Sequence, residues 1–391
     1  MSGPRIGDRS LFPTLQGRSY LNHAAVSPLS MPVAQAARAV LDDHAARGVG
    51  ALLDAIPKRE TLRAQLADWL GAAPADLGFP PGTTRGIVDL ALAIDWKHGD
   101  RVLWFEGEFP ANVLPWLRST QPFGTTDISV PLTGFDDGSG DGLQRVEAAL
   151  RGGVRLIAVS AVQFSTGLQM PVAALGALAH AHGAELFVDG IQALGGVPMP
   201  LDGVDYFVCG THKWLMGLDG LAVAYAAPAA RARLRPLTAG WLSTTEAFTF
   251  LMHGAGHLRY DRPLRDSLDW MEGGVQTAAA FAALGAAVSM LSAVGVADIA
   301  EHVQGLHDLL EPGLLARGFQ SARAADPAAR SNILSLRPPP GVDLSSLAER
   351  LGAQGVSVSI PDGWLRLAPH WPNSAAEVPF VHAAIDAAIT S

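Results

Sequence analysis

From residue 100 to residue 226 the chain alternates short apolar runs with stretches of helical periodicity. The runs are Val102–Phe105, Ile128–Val130, Leu156–Val159, Leu186–Val188, Tyr206–Val208 and Leu221–Ala224. Most are apolar throughout rather than alternating, the pattern of strands buried on both faces. The stretches Thr84–Ile94, Ala111–Arg118, Gln144–Leu150 and Val172–His182 are predicted helices. Strand and helix in alternation predict an α/β fold, with a mostly parallel central sheet flanked by helices. Before this region the pattern predicts helices over Pro32–Arg47 and from about Lys58 to Leu70. After it, Thr245–Gly273 is irregular and polar, with Arg259, Arg262 and Arg265 in it. Two helices are then expected, Thr277–Ser292 and Asp298–Arg317. An α+β tail follows: strand Ile333–Leu336, helix Leu344–Ala353, strands Val356–Ser359 and Trp364–Leu367, and helix Ala375–Ile389. Residues 1–30 are read as a segment joining a small domain, 31–255 as a large α/β domain, and 256–391 as connecting helices and the small C-terminal domain.

Composition narrows the function classes. Of 391 residues, 28 are Lys or Arg and 37 are Asp or Glu, giving a net charge of −9. Such a chain has no broad positive field for a phosphate backbone, so no nucleic-acid partner is expected. The single cysteine, Cys209, permits neither an intrachain disulfide nor a cysteine-rich zinc site. His180 and His182 lie two apart on one helix and share no face, so no metal is expected there. Mean hydropathy is positive at +0.21. No run of about 18 apolar residues accompanies it, so no membrane helix is expected. Met1–Arg9 is polar and lacks the apolar core of a signal segment. A soluble, cytoplasmic protein is the expectation.

Only three of the 28 cations are lysine: Lys58, Lys97 and Lys213. Lys58 and Lys97 sit in charged surroundings that read as surface loops. Lys213 follows the run Tyr206–Val208 among apolar and small residues. Ligands of open parallel sheets bind beyond the carboxyl ends of the strands, where Lys213 is expected. Lysine can lose its proton and form an imine, and arginine can do neither. Asp189 ends the preceding run, and Gly82-Thr83-Thr84 opens a predicted helix with donors suited to an anion. Each feature has a plainer explanation: a salt-bridged lysine, a capping aspartate, an ordinary helix cap. Together they form the set a pyridoxal phosphate enzyme needs: an amine, an acid for the ring nitrogen and a phosphate cradle.

The segments Val188-Asp189-Gly190-Ile191-Gln192, Val204-Asp205-Tyr206-Phe207, Thr211-His212-Lys213-Trp214 and Gly217-Leu218-Asp219-Gly220 resemble the core of class V aminotransferase-fold enzymes of fold type I. The resemblance runs from Tyr20-Leu21-Asn22-His23 to Arg366. It implies pyridoxal 5′-phosphate as cofactor, with Lys213 as its aldimine lysine. Asp189 would pair with the ring nitrogen, and Gln192 would bond the ring oxygen. Thr83, Thr84, Thr211 and His212 would hold the phosphate. The block Glu106-Gly107-Glu108-Phe109-Pro110-Ala111-Asn112 would supply Phe109 as the stacking ring, a kynureninase-like choice, since desulfurases carry histidine there. Gln163-Phe164-Ser165-Thr166-Gly167 is kynureninase-like too. Arg366 would take the substrate α-carboxylate. His23 and Trp241 are further candidates at the substrate.

The sequence also departs from the family. Gly355–Gly363 lacks the persulfide cysteine of desulfurases, which argues against that activity. Val275 stands where relatives often use a hydroxyl to reach the phosphate of a neighbouring subunit, and it cannot make that contact; the resemblance itself implies a homodimer with shared sites. The expected function is transamination of a small amino acid or amine, through a Lys213 aldimine that the substrate amine displaces and a quinonoid intermediate. The alternatives are a kynureninase-like or other C–C or C–S lyase, an epimerase, or a non-catalytic ligand-binding member.

Overall fold

The computed structural model describes residues 3–390. After strand β1 (Ser19–Tyr20) come two long helices, α1 (Met31–Arg47) and α2 (Val49–Leu70). The central sheet then follows: β2 (Leu77–Gly78), β3 (Arg101–Phe105), β4 (Thr126–Val130), β5 (Leu156–Ser160), β6 (Glu185–Asp189), β7 (Tyr206–Gly210) and β8 (Ala222–Ala226). Its spatial order is β2-β8-β7-β6-β5-β3-β4. The pairs β3·β4, β3·β5, β5·β6 and β6·β7 are parallel, and β8 runs antiparallel to both its neighbours. Helices α3 (Thr83–Ala93), α4 (Asp141–Leu150) and α5 (Val172–Ala181) connect the strands.

Apolar strands have a direct structural consequence here. Alternate residues of one strand enter different cores. In β6, Leu186 and Val188 join a cluster with Leu175 and Ala179 of α5, while Phe187 joins one with Ile87 and Leu90 of α3. Burial on both faces is what suppressed the polar alternation. Beyond the sheet lie the short helices α6 (Pro228–Arg231) and α7 (Thr249–Met252), then α8 (Ala278–Val294) and α9 (Val296–Leu315). A third core forms around β10 (Leu334–Arg337), α10 (Leu344–Ala353), β12 (Leu365–Leu367) and α11 (Val378–Thr390). Strand β9 (Gln320–Ser321) extends the β10–β12 sheet, and β11 (Val356–Ser357) pairs in parallel with β1. Among the described residues no single helix is long and apolar enough to cross a membrane.

Two local expectations are corrected, and one strand was not anticipated. Helix α2 begins at Val49 rather than near Lys58 and runs through Pro57, so Lys58 is helical. Its apolar face, including Ala51, Leu62 and Leu66, is buried, and that burial outweighs the hydrogen bond Pro57 removes. The stretch Ala111–Arg118 is not an α-helix. It breaks into a 3₁₀ turn (Pro110–Asn112) and a π turn (Pro115–Ser119) around Pro110 and Pro115. Strand β2 is two residues long, too short for any periodicity to reveal.

Candidate active site

Strands β5, β6 and β7 end side by side, and the residues after them meet the start of α3 around a cavity of about 570 Å³. Its lining includes Thr83, Thr84, Phe109, Asp189, Gln192, His212, Lys213 and Arg366. Eight of the expected site residues, from segments far apart in sequence, thus converge.

Lys213 is held by a tight turn. The Met216 N–H donates to the Lys213 carbonyl (2.9 Å), and Met216, fully buried, takes a positive φ of 55°. A non-glycine residue in that region is strained and persists only where packing fixes it. Nζ lies 5.7 Å from the Phe109 ring centroid, within cation–π range. Among the described residues the ammonium has no ion-pair partner. Burial brings its pKa down to about 8, opposed by the Asp189 charge and reinforced by Arg366.

Asp189 ends β6, is buried, and accepts a hydrogen bond from the Ile191 N–H (3.0 Å). Burial raises its pKa to about 7; the Ile191 bond opposes the rise, the Glu108 charge adds to it and Lys213 opposes it. Gln192 donates to the Ala24 carbonyl (2.9 Å) and accepts from the Trp214 indole N–H (2.8 Å). These two bonds leave one amide N–H for a ligand.

At the start of α3 the first-turn N–H groups have no intrahelical partners. The Thr83 hydroxyl is buried and also without a partner. A Cβ on Gly210 would lie 2.6 Å from that oxygen, so only glycine leaves the hydroxyl its place. Thr84 is exposed at the rim. His212 also lines the cavity, and burial followed by the Lys213 charge lowers its pKa. Phe109 is 44 % exposed and meets Phe164 edge-on, with centroids 5.2 Å apart.

Arg366 is buried to 5 % exposure on β12. Its Nε donates to Ser359 Oγ (3.0 Å) and one Nη to the Phe164 carbonyl (2.7 Å). No carboxylate pairs with it among the described residues. Burial lowers its pKa to about 10, so it stays charged at neutral pH.

Three expected residues do not line the cavity. The Thr211 hydroxyl is buried and donates to the carbonyl oxygens of Leu218 and Leu221, so it is spent inside its own loop. His23 is buried beside His370 and bonded to Ser27 Oγ (2.8 Å). Trp241 packs edge-on against Phe248 and Phe250 at the surface. Arg259, Arg262 and Arg265 pair with Asp261, Glu246 and Asp269. His180 bonds Asp205 (2.8 Å). A larger cavity of about 720 Å³, between the end of α2 and residues 197–202, has no lysine, arginine or histidine in its lining.

The sequence reading missed Glu108. Its buried carboxylate accepts from the Ser160 N–H (2.6 Å), the Ser160 hydroxyl, Gln163 Nε2 (2.9 Å) and Asn112 Nδ2 (3.2 Å). The available signal was an acid at the end of an apolar run, next to Phe109. Arg85, which lines the cavity beside Thr84 and pairs with Asp89 (2.9 Å), was also missed.

The cavity fits pyridoxal phosphate on its donor chemistry. The orphaned Thr83 hydroxyl and the free helix N–H groups are the donors a phosphate requires, and the unpaired Lys213 amine is the group an aldehyde requires. Known proteins agree in fold and family. The chain is 26 % identical to the uncharacterized aminotransferase YcbU of Bacillus subtilis, over 95 % of this chain and 94 % of that protein. It is 31 % identical to a probable cysteine desulfurase of Pseudomonas aeruginosa, covering 76 % of this chain and 71 % of the relative. The fold matches the cysteine desulfurase CsdA of Escherichia coli with a TM-score of 0.84 at 23 % identity, over 98 % and 97 % of the two chains. It matches the cystine C–S lyase C-DES, solved with cysteine persulfide, with a TM-score of 0.86 at 21 % identity, over 96 % and 98 %. A family model, aminotransferase class-V, matches residues 19–363, and the chain belongs to that family.

Proposed function

We propose that this class-V enzyme holds pyridoxal phosphate in the cavity around Lys213 and transaminates a small amino acid. Arg366 carries the reading. A guanidinium without a carboxylate partner is expensive to bury. Facing the same cavity as an unpaired lysine and a buried aspartate, it suits a planar carboxylate. The bound cofactor supplies an electron sink conjugated to the substrate Cα.

The residues divide the remaining work. Arg366 clasps the α-carboxylate and fixes which Cα bond faces the ring's π system. With its pKa brought to about 8, Lys213 is roughly one-tenth neutral at pH 7. Its Nζ removes the Cα proton and returns it to the reacting skeleton. With the cofactor bound, Asp189 would hold the proton of the ring nitrogen and the spare Gln192 N–H would serve the ring oxygen. Thr83, Thr84, His212 and the first turn of α3 would hold the phosphate, without Thr211, and Phe109 would supply the stacking ring.

The second reading is a C–C or C–S lyase, favoured by the apolar Phe109–Phe164 pair beside Lys213. A persulfide relay is not part of it. Cys209 is fully buried, and burial pushes its thiol well up, so it offers no accessible thiolate. The division at residues 30 and 255 belongs to the proposal, as does a homodimer. Val275 is 58 % exposed, near the exposed Leu41 and Val49, which suits cover by a second copy.

The test mixes the holoenzyme with a panel of amino acids, first without and then with a 2-oxo acid. Transamination predicts a new 2-oxo acid from the first half-reaction and turnover only when the acceptor is present. Turnover without an acceptor, releasing alanine, sulfide or an aromatic amine, replaces this reading with the lyase one.

A further inference from the structure

The Glu108 carboxylate takes no part in the work described above, yet it is among the most completely engaged polar groups near the cavity. Three elements hold it. Ser160 at the end of β5 gives it a backbone N–H and a hydroxyl, Gln163 gives an amide N–H from the loop that follows, and Asn112 gives another from the turn after β3. The two oxygens thus meet four donors. A backbone N–H can only donate, and an ionised carboxylate is the acceptor such a set suits. Burial pushes the Glu108 carboxyl up, and the Ser160, Gln163 and Asn112 donors oppose that rise, so the charge in the interior is held by hydrogen bonds with no cation beside it among the described residues.

The sheet aims that charge. Ser160 and Asp189 are register partners in the parallel ladder of β5 and β6. Register partners on neighbouring strands project to the same face, about 5 Å apart. The Ser160 hydroxyl that binds Glu108 is therefore on the side of the Asp189 carboxyl. The groups facing Asp189 are Glu108 from the β3 side, and Lys213 and Cys209 from β7 and its following loop. Cys209 is uncharged, and Lys213 is the amine the cofactor engages. Once that amine is engaged, Glu108 is the remaining fixed charge beside Asp189.

We propose that Glu108 is a positioning residue for a proton: its fixed charge keeps the proton that Asp189 and the cofactor's ring nitrogen share. The inference rests on the reading of this cavity as the cofactor site. The charge favours the protonated acid in the free protein, in line with the upward shift of Asp189. The ring nitrogen of a 3-hydroxypyridine is protonated at neutral pH because its hydroxyl ionises first, so the ring brings a proton of its own. Below the titration of Asp189 the site and the ring carry one proton each, and binding keeps one between them and releases the other.

The test uses pyridoxine 5′-phosphate, which keeps the ring nitrogen and phosphate and has no aldehyde for Lys213. Calorimetric titration of the cofactor-free protein from pH 5.5 to 9, in two buffers of different ionisation enthalpy, reads affinity and proton exchange together. The wild type is expected to show proton release on binding that sets in as pH falls through about 7, where Asp189 becomes protonated. In Glu108→Gln the onset moves to lower pH by about one unit or more. Glu108→Asp, which keeps the charge, restores the wild-type onset. Ser160→Ala, which removes a donor and weakens the ionised form of Glu108, moves it in the same direction as Gln but less. An unchanged onset in both Gln and Ala variants overturns the inference while leaving the cavity as cofactor site. An Asp variant that behaves as Gln assigns the effect to packing and also overturns it. Absence of binding at every pH overturns the site reading and the inference together.

Discussion

Replacing Arg366 with alanine should separate substrate recognition from stability. The guanidinium is 5 % exposed and has two partners within the protein, Ser359 Oγ and the Phe164 carbonyl. Two of its remaining N–H donors suffice for a bidentate carboxylate contact. Hydrogen bonds to charged groups contribute about 1.5–3 kcal/mol each, so the pair supplies about 3–6 kcal/mol. Water entering the alanine cavity recovers part of this. A loss of about 3–4 kcal/mol, or a roughly 10²–10³-fold fall in kcat/KM for amino acids, is expected. The folded state should change far less. It loses two charge-assisted hydrogen bonds at about 1.5–3 kcal/mol each, offset because it no longer buries an unpaired cation. The assay compares kcat/KM for an amino acid and for the amine made by removing its carboxylate, in wild type, Arg366→Ala and Arg366→Lys. Only the amino acid should lose rate, and lysine should restore a small part, because it lacks the planar fork. Equal losses for acid and amine would refute the reasoning, since the arginine would then be acting on the fold or the cofactor.

Three further outcomes follow from the same geometry. Thr83→Val removes a buried hydroxyl that has no partner in the protein, so cofactor-free stability in urea should hold or rise. Pyridoxal phosphate affinity should fall roughly 10–100-fold, and an unchanged affinity would remove Thr83 from the cradle. Burial of Asp189 and of Lys213 predicts a pH profile for the cofactor-free protein. Asp189 titrates near 7 folded and near 4 unfolded, so the unfolded chain binds fewer protons between those values and stability falls as pH rises through them. Lys213 titrates near 8 folded and above 10 unfolded, so stability rises with pH between about 8 and 10. Urea midpoints should show Asp189→Asn flattening the lower limb and Lys213→Met the upper one; limbs that survive both changes belong to other groups. Away from the site, Glu272 is buried with Arg63 (2.7 Å) and Arg59 (3.2 Å), and Arg63 also holds the Leu77 carbonyl of β2 (3.0 Å). Arg63→Ala should cost about 3–5 kcal/mol by urea denaturation, and a loss below about 1 kcal/mol would show that the pair is not effectively desolvated.

What the sequence revealed of this site follows from how each residue acts. Lys213, Asp189 and Thr83 each sit at the end of a strand or the start of a helix, so hydrophobic periodicity located them without any tertiary information. Arg366 came from resemblance alone. Its strand is three residues long, and nothing near it in sequence shows that Ser359 and Phe164 hold its fork. Thr211 failed for the opposite reason: a hydroxyl beside the key lysine looks like a phosphate ligand, but the turn it closes uses its proton on Leu218 and Leu221.

Glu108 marks the limit of reading along the chain. Its partners Ser160 and Gln163 are 52 and 55 residues away, and only the parallel register of β5 with β6 sets their carboxylate beside Asp189. A linear reading finds an acid by the company it keeps in sequence. Here the neighbours Gly107 and Phe109 say nothing of charge. The lone lysine at a strand end is conspicuous because the chain otherwise prefers arginine, whereas one acid among 37 has no such contrast. The chemistry at Lys213 is therefore legible from composition and strand ends, while the electrostatic setting that tunes Asp189 exists only once the sheet has formed.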